Sequence, residues 1–393
     1  MGMKIRVSCD EAYLTRKQRE LAAISGKPCA RPASAQSALH LKLKAAADRK
    51  AQFFAHNQDL TETNWDDEPQ GSDKLTFNFD YQRAGLKVEG TEVYPADVAG
   101  PALVTYFTNG GMAGLAATFT ALNSLGLTKV SLPPGCYSET PELLEFLRLT
   151  GLQNGGASEE VCVVDSAAPS LAGWEQKAAR AKVLVVDTSC YVSSSGRLRE
   201  WIRLAREGRQ SLVLVRSHTK LDNLGVEYGR LGSIVVIHSE IDGLLTALDD
   251  AVRLLGAAPA PVQFPEYADK QEFQRLCRQR VHQMIRVTRT LRSELSAAGY
   301  APAYYQHGLF TTVAVGDGTQ QGVEETAREI AAQLRERGLS VRHAGSFGFD
   351  FVGLEWFNDT RVERVMLRIS GGDIPVEEAR MIAKELAAEL RRH

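Results

Sequence analysis

The sequence predicts an α/β protein, with a mostly parallel sheet in a large domain followed by a smaller C-terminal α+β domain. Three observations predict it. From about residue 100 to 255, short continuous apolar runs alternate with helical stretches. Continuous apolar runs mark strands buried on both faces, and helices between them cover a parallel sheet. The run Gly256-Ala257-Ala258-Pro259-Ala260-Pro261 then reads as a hinge, with a long helix and further strands and helices beyond it. At 393 residues, the chain is also too long for one compact core.

Residues 1–75 are polar, with helical spacing at Glu11–Ser25 and Ser34–Phe54 and an acidic loop, Asp59–Asp73, that carries Pro69 and Gly71. This stretch reads as a helical arm. Residues 76–258 read as the large domain. Its strands are expected at Val104–Phe107, Lys129–Leu132, Val161–Val164, Val183–Val186, Leu212–Val215 and Ile234–Ile237. Helices are expected at Met112–Leu125, Glu139–Leu149 and Arg197–Arg206. Residues 259–393 read as the small domain, with helices at Tyr267–Ala298, Glu324–Arg337 and Pro375–Arg391 and strands at Leu309–Val315 and Val365–Ile369. No internal repeat or low-complexity tract interrupts the pattern.

Composition narrows the function classes. Forty-six Lys and Arg against 48 Asp and Glu give a net charge of −2, which leaves no electrostatic footprint for nucleic acid or a membrane surface. A small-molecule partner is favoured. The six cysteines are scattered, with no CxxC pair to signal zinc or redox chemistry, so no metal is expected. Cys162, inside Val161-Cys162-Val163-Val164, reads as a small core residue. Met1 to Lys17 has no apolar h-region, and no stretch approaches the roughly 18 apolar residues of a membrane span. The expectation is a cytoplasmic protein with reduced thiols.

Ser217-His218-Thr219-Lys220 follows the apolar run Leu212–Val215. Lysine is rarely buried without a partner. A Schiff-base lysine with two hydroxyls beside a phosphate accounts for this one. Ligands of open α/β sheets bind at the carboxyl ends of strands, and two further groups are expected there. Asn109-Gly110-Gly111-Met112 opens a helix after a strand, where glycines admit close approach and free N–H groups favour a phosphate. A plain turn is the other reading. Asp187 ends Val183–Val186 and suits a protonated pyridine nitrogen, although a helix cap or a metal ligand fits it equally. Ser217-x-x-Lys220 also matches the Ser-x-x-Lys of penicillin-binding proteins, but their Ser-Asp-Asn and Lys-Thr-Gly are absent. His218 alternates away from the hydroxyls and reads as a packing residue.

In this order the motifs resemble the cystathionine γ-synthase/γ-lyase group, the cysteine and methionine metabolism enzymes of pyridoxal phosphate fold type I. The resemblance covers roughly residues 79–393 and implies an aminotransferase-like fold. It implies a phosphate turn at Gly110-Gly111-Met112, a ring-stacking Tyr137, a ring-nitrogen partner in Asp187, and Ser217, Thr219 and Lys220 as phosphate and aldimine residues. Taken alone, Tyr137 also reads as a helix-entry residue. Tyr81-Gln82-Arg83 is similar to a Tyr-x-Arg that reaches a neighbouring subunit's phosphate, which implies a homodimer or homotetramer. Ser346-Phe347-Gly348 is similar to a Ser-Leu-Gly in the substrate pocket. Leu367 to Asp373 is similar to an Arg-x-Ser-x-Gly-x-Glu whose arginine, here Arg368, grips the substrate carboxylate.

The chain departs from that pattern after Arg83, where Ala84-Gly85-Leu86-Lys87 stands, and after the lysine, at Leu221-Asp222-Asn223-Leu224-Gly225. Gly229-Arg230-Leu231-Gly232 resembles instead the aminotransferase group, where a nearby arginine helps hold phosphate. The implied activity is a pyridoxal phosphate-dependent γ-elimination or γ-replacement on a γ-substituted L-amino acid, with Lys220, Tyr137 and Asp187 catalytic. The bond broken is carbon–sulfur or carbon–halogen, and loss of chloride to give a terminal-alkyne amino acid is one form. The alternatives are an aminotransferase on the same fold and a non-catalytic binding protein. Trp356 and Phe357 read as packing, and His343 as a surface or pocket residue.

Overall fold

The structure is a computed structural model that describes residues 10–56, 76–78, 87–89, 92–152, 160–260, 263, 271–316, 318–359, 362 and 364–392. The expected interface residues Tyr81 and Arg83 and the acidic loop Asp59–Asp73 lie outside the described residues. In chain order the first elements are α1 (Glu11–Ser25), α2 (Ala35–His56), β1 (Thr76–Asn78), β2 (Lys87–Glu89), α3 (Ala96–Ala99), β3 (Val104–Thr108), α4 (Gly111–Ser124) and β4 (Lys129–Ser131). Then come α5 (Glu139–Phe146), β5 (Thr150–Leu152), β6 (Val161–Asp165), α6 (Glu175–Ala178), β7 (Val183–Asp187), α7 (Gly196–Glu207), β8 (Ser211–Ser217) and α8 (His218–Leu221). The remainder are β9 (Gly232–His238), α9 (Leu244–Leu254), α10 (Gln271–Ala297), β10 (Phe310–Val313), α11 (Gln320–Glu336), β11 (Val341–His343), β12 (Val352–Asp359), β13 (Arg364–Ser370) and α12 (Val376–Leu390).

The chain divides into two compact units. One comprises Lys50–Thr219 and Glu227–Asp269. The other comprises Met1–Arg49, Lys220–Val226 and Lys270–His393. The helices of the N-terminal stretch are therefore grouped with the C-terminal residues, as is the short segment that begins at Lys220.

The first unit is built on a seven-stranded sheet of order β3-β9-β8-β7-β6-β4-β5. Its pairs are parallel except those of β9, which runs antiparallel to both β3 and β8. The sheet is mostly parallel, as expected, with one strand reversed. Side-chain alternation explains the unbroken apolar runs. Val163, Val185, Val213 and Val236 pack on one face with Leu115, Phe119 and Leu122 of α4 and Leu244 and Leu248 of α9. Cys162, Val164, Leu184 and Leu214 pack on the other with Trp174 and with Leu198, Trp201 and Ile202 of α7. Cys162 is thus the core residue expected.

The second unit carries a four-stranded sheet of order β10-β13-β12-β11, in which β11–β12 is parallel and the other pairs antiparallel. Its core joins Val287 and Leu291 of α10, Ile330 and Leu334 of α11, and Ile382 and Leu386 of α12 to Leu354, Leu367 and Ile369. Strands β11 and β12 were not anticipated, nor was helix α9 of the first unit. Three residues are too few to show a period, and β12 mixes Gly353, Glu355 and Asn358 into its apolar positions.

A buried cluster of charges sits in this unit. Lys17 of α1 approaches Glu20 at 3.1 Å, Asp350 at 2.8 Å and Asp373 at 2.7 Å. Lys42 of α2 reaches Glu20 at 2.6 Å and Asp350 at 2.8 Å. Arg280 of α10 meets Asp350, Asp373 at 3.0 Å and Glu20 at 3.3 Å. Arg16 clamps Asp373 through two bonds of 2.6 Å and also reaches Glu20. Burial alone would raise the three carboxyls, but the cations outweigh it and hold Glu20, Asp350 and Asp373 below the usual carboxylate range. Burial instead pushes the Lys42 ammonium down to about 8.

Four cations face three carboxylates (Arg16, Lys17, Lys42 and Arg280 against Glu20, Asp350 and Asp373), so removing one of each has unequal effects. Asp350→Asn leaves buried cations under-compensated and should cost about 3–5 kcal/mol in denaturant unfolding, whereas Lys42→Met should cost less. Because the native carboxyls sit low, their stability is present above the unfolded value of about 4 and is lost as pH falls through the native values. Wild-type stability should therefore decline steeply below about pH 4, and Asp350→Asn should flatten that limb.

Candidate active site

Register places the expected residues of the first unit along one edge of its sheet. Asp165 pairs with Asp187 across β6–β7, and Asp187 with Val215 across β7–β8. Ser217 pairs with Gly232, which in turn pairs with Thr108 at the end of β3. The C-terminal ends of β3, β6, β7 and β8 thus share this edge, where parallel sheets bind ligands.

The glycines at this edge are dictated by close approach. Gly110 has φ 109°, and Gly111 opens α4 with no side-chain cap on the helix. A Cβ on Gly111 would lie 3.0 Å from the Ser217 Cβ, and one on Gly232 would collide with the Gly110 carbonyl. Ser217 Oγ and Thr219 Oγ1 stand 3.1 Å apart, within hydrogen-bond distance. A helix N-terminus without a capping side chain, a backbone kept bare by glycines and two hydroxyls form a donor set that suits a phosphate. Met112 lies in the first turn of α4, packed against the core.

Asp187 is half-buried at the end of β7, and its Oδ1 accepts the Ser189 N–H at 2.8 Å. It caps no helix, since the N-cap of α7 is Ser195. The loop that follows is strapped down. Arg216, 1% exposed, donates through Nη1 to the carbonyls of Thr188 at 2.7 Å and Tyr191 at 2.8 Å. Ser189 Oγ accepts the Ser217 N–H at 2.9 Å, Ser166 Oγ accepts the Cys190 N–H at 2.8 Å, and Tyr94 Oη lies 2.7 Å from Thr188 Oγ1.

Tyr137 is half-buried before α5. Its N–H donates to Asp165 Oδ2 at 2.6 Å and its hydroxyl to Glu139 at 2.9 Å. Asp165 also accepts the Ala167 N–H at 2.7 Å. Asp165 and Arg216 position this edge, yet neither was singled out in the sequence, because each acts on backbone that only the folded chain brings near. His218 hydrogen-bonds Ser233 at 2.9 Å and lies 6.3 Å from the ring of Phe107, the packing position expected.

The second unit carries the other expected residues. Lys220 Nζ lies 4.9 Å from the centre of the Phe347 ring, and Gly348, φ 102°, packs so tightly on the Lys220 carbonyl that a Cβ would collide with it. Ser346 precedes these residues, half-buried. Arg368 is only 8% exposed and pairs with Thr312 and Glu355 in the sheet. Its guanidinium lies 5.7 Å from the Phe310 ring and 5.9 Å from the Phe357 ring, so it is a buried cation over aromatic faces rather than a surface arginine.

This architecture is the fold type I α/β fold. Among solved structures, a cystathionine γ-synthase from Xanthomonas oryzae pv. oryzae matches with TM-score 0.51 at 15% identity, covering 80% of this chain and 88% of its own. A cystathionine γ-lyase from yeast matches with TM-score 0.53 at 17% identity, covering 75% and 84%. An 8-amino-7-oxononanoate synthase from Francisella tularensis matches with TM-score 0.51 at 10% identity, covering 76% and 85%. The neighbours therefore include the group that the motifs resemble. No protein-family model and no curated protein sequence matches the chain.

Arg216→Met should take the Arg216 donor from the Tyr191 carbonyl, at about 1–3 kcal/mol, and leave the Thr188 carbonyl with the Tyr191 N–H alone. Lowered thermal stability, with faster amide exchange confined to 188–191, is the expected outcome. Unchanged exchange there would remove Arg216 from the positioning of Asp187.

Proposed function

We propose that the protein is a pyridoxal phosphate-dependent lyase that eliminates or replaces a γ-substituent of an L-amino acid. The observation that carries this reading is the strand-end edge, on which the Gly110–Gly111 helix start, Ser217 and Thr219, Asp187 and Tyr137 all lie, with Lys220 next in the chain. Bound pyridoxal phosphate supplies an electron sink for bond breaking at the substrate α-carbon.

The chain's own residues take the remaining roles. Ser217, Thr219 and the first-turn N–H groups of α4 hold the phosphate. Asp187 keeps a proton on the ring nitrogen, and Tyr137 covers a ring face. Lys220 would hold the cofactor through Nζ and would serve as the base that moves protons at the substrate α- and β-carbons. Arg368 would bind and orient the substrate carboxylate, with Ser346 beside the substrate. Tyr137 also assists departure of the γ group. Arg83 and Tyr81 complete a neighbouring subunit's phosphate site, which makes the active form a homodimer or a tetramer of dimers. The leaving group is a thiol, an activated hydroxyl or a halide, the last giving a terminal-alkyne amino acid.

Lys220→Ala should leave no borohydride-fixed cofactor mass on the 220 peptide. Asp187→Asn should retain cofactor while losing about 10²-fold or more of turnover. A panel of γ-substituted amino acids, with and without a thiol, separates the reactions by mass spectrometry. Released ammonia with a lost γ group supports the lyase. A keto acid formed stoichiometrically with pyridoxamine phosphate, the γ group retained, identifies an aminotransferase. Colourless protein after cofactor addition identifies a binding protein. Arg83→Ala should weaken cofactor retention without unfolding the chain, and unchanged affinity would remove the cross-subunit role.

A further inference from the structure

Around the segment Lys220–Val226, where the chain leaves the pattern of the group it resembles, Arg280 makes two close approaches. Arg280 projects from α10 and is 1% exposed. Its Nη1 faces the carboxylates of Asp350, Asp373 and Glu20. Its Nη2 donates to the Gly348 carbonyl at 2.7 Å, and Gly348 is the residue packed against the Lys220 carbonyl.

The second approach is at Gly225. The chain turns through Leu224 at φ 55° and Gly225 at φ 80°, with Asn223 Oδ1 accepting the Gly225 N–H at 2.8 Å. A Cβ on Gly225 would overlap Arg280 Nη2 and lie 3.1 Å from Asp350 Oδ1. Glycine is required at this position both by the left-handed conformation and by the approach of the guanidinium.

We propose that Arg280 is a positioning residue for Lys220: its fork ties Gly348 to the buried carboxylates and packs against the Gly225 turn, and so fixes the backbone that carries the lysine. The functional meaning rests on the reading of Lys220 given above. A planar fork is needed because one arm engages carboxylates while the other engages a carbonyl, and an ammonium on a flexible stem does not hold both. The charges contributed by Glu20, Lys17 and Lys42 thereby stiffen a catalytic lysine that none of them touches. The Leu221–Gly225 departure becomes the part of the chain shaped to meet Arg280.

Two full-length variants test this from opposite sides. Arg280→Lys keeps the buried charge and loses the fork, whereas Gly225→Ala keeps every charged residue and disturbs the contact. Amide hydrogen exchange is read over 218–226 and 346–350 in the cofactor-free protein. The yield of borohydride-fixed cofactor on the Lys220 peptide is read in the loaded protein. Arg337→Lys, which alters an ion pair with Glu385 and Glu389 elsewhere in the same unit, is the control.

The expected result is exchange at least tenfold faster in 218–226 for both test variants, with native circular dichroism, a reduced yield of fixed cofactor and no such change in the control. If either variant folds and exchanges like wild type in 218–226, the positioning role is overturned. Equal acceleration in the control would also overturn it, by showing general loosening. Failure of wild type to accept cofactor on Lys220 would sink the proposed function, while the exchange comparison still decides the positioning.

Discussion

Three carboxylates share one buried site, and the unit around them is organised by the need to neutralise them. Glu20, Asp350 and Asp373 are each nearly inaccessible, with side-chain oxygens within 4.8 Å of one another. Left alone, such groups would repel each other and shed their charge. Four cations arrive instead, from α1, α2 and α10. Their arrival fixes the two N-terminal helices on the same unit as the small sheet. The Tyr13 hydroxyl adds a bond of 2.9 Å to the Asp373 carbonyl, so the backbone as well as the charge at that corner is held. Buried charges of this kind add little net stability compared with apolar packing, but they penalise every arrangement in which one partner is missing.

The larger sheet works under a different constraint. Its central strands have both faces covered, so their side chains can only pack, and chemistry is left to the strand ends. There the backbone itself becomes the limiting material. Gly232 is required because a Cβ would overlap the Gly110 carbonyl, and a Cβ on Gly111 would crowd Ser217 at 3.0 Å. Arg216 and Asp165 satisfy backbone groups of the loops that carry Asp187 and Tyr137. Asp187 and Tyr137 thus sit at loops whose polar atoms are committed to fixed partners.

Lys220 stands at the junction of these two constraints along the chain. Ser217 ends a strand of the large sheet, while Lys220–Val226 is grouped with the charge-bearing unit. A lysine on such a segment is placed by covalent continuity on one side and by the Gly348 and Gly225 contacts on the other. Fold type I architecture does not choose a reaction, since neighbours at similar TM-scores include both a γ-lyase and an oxononanoate synthase.

The sequence by itself determined the strands β6, β7 and β8, most helices and the motif positions. It did so because burial on both faces demands an apolar side chain at every strand position, and helical burial demands one at every third or fourth, so local composition carries the information. It also placed Lys220, Asp187 and Gly110–Gly111 at strand ends, since a motif next to an apolar run is a local pattern. Only the tertiary structure decided what depends on distant partners. Lys17, Glu20 and Lys42 lie on a stretch that reads as a polar arm, yet all three are buried. Arg16 meets Asp373 across 357 positions of chain, a distance that no local pattern records. The reversal of β9, the strap from Arg216, the support from Asp165 and the aromatic bed of Arg368 are of the same kind. In each, the sequence supplies the chemical group, and packing decides which group it meets.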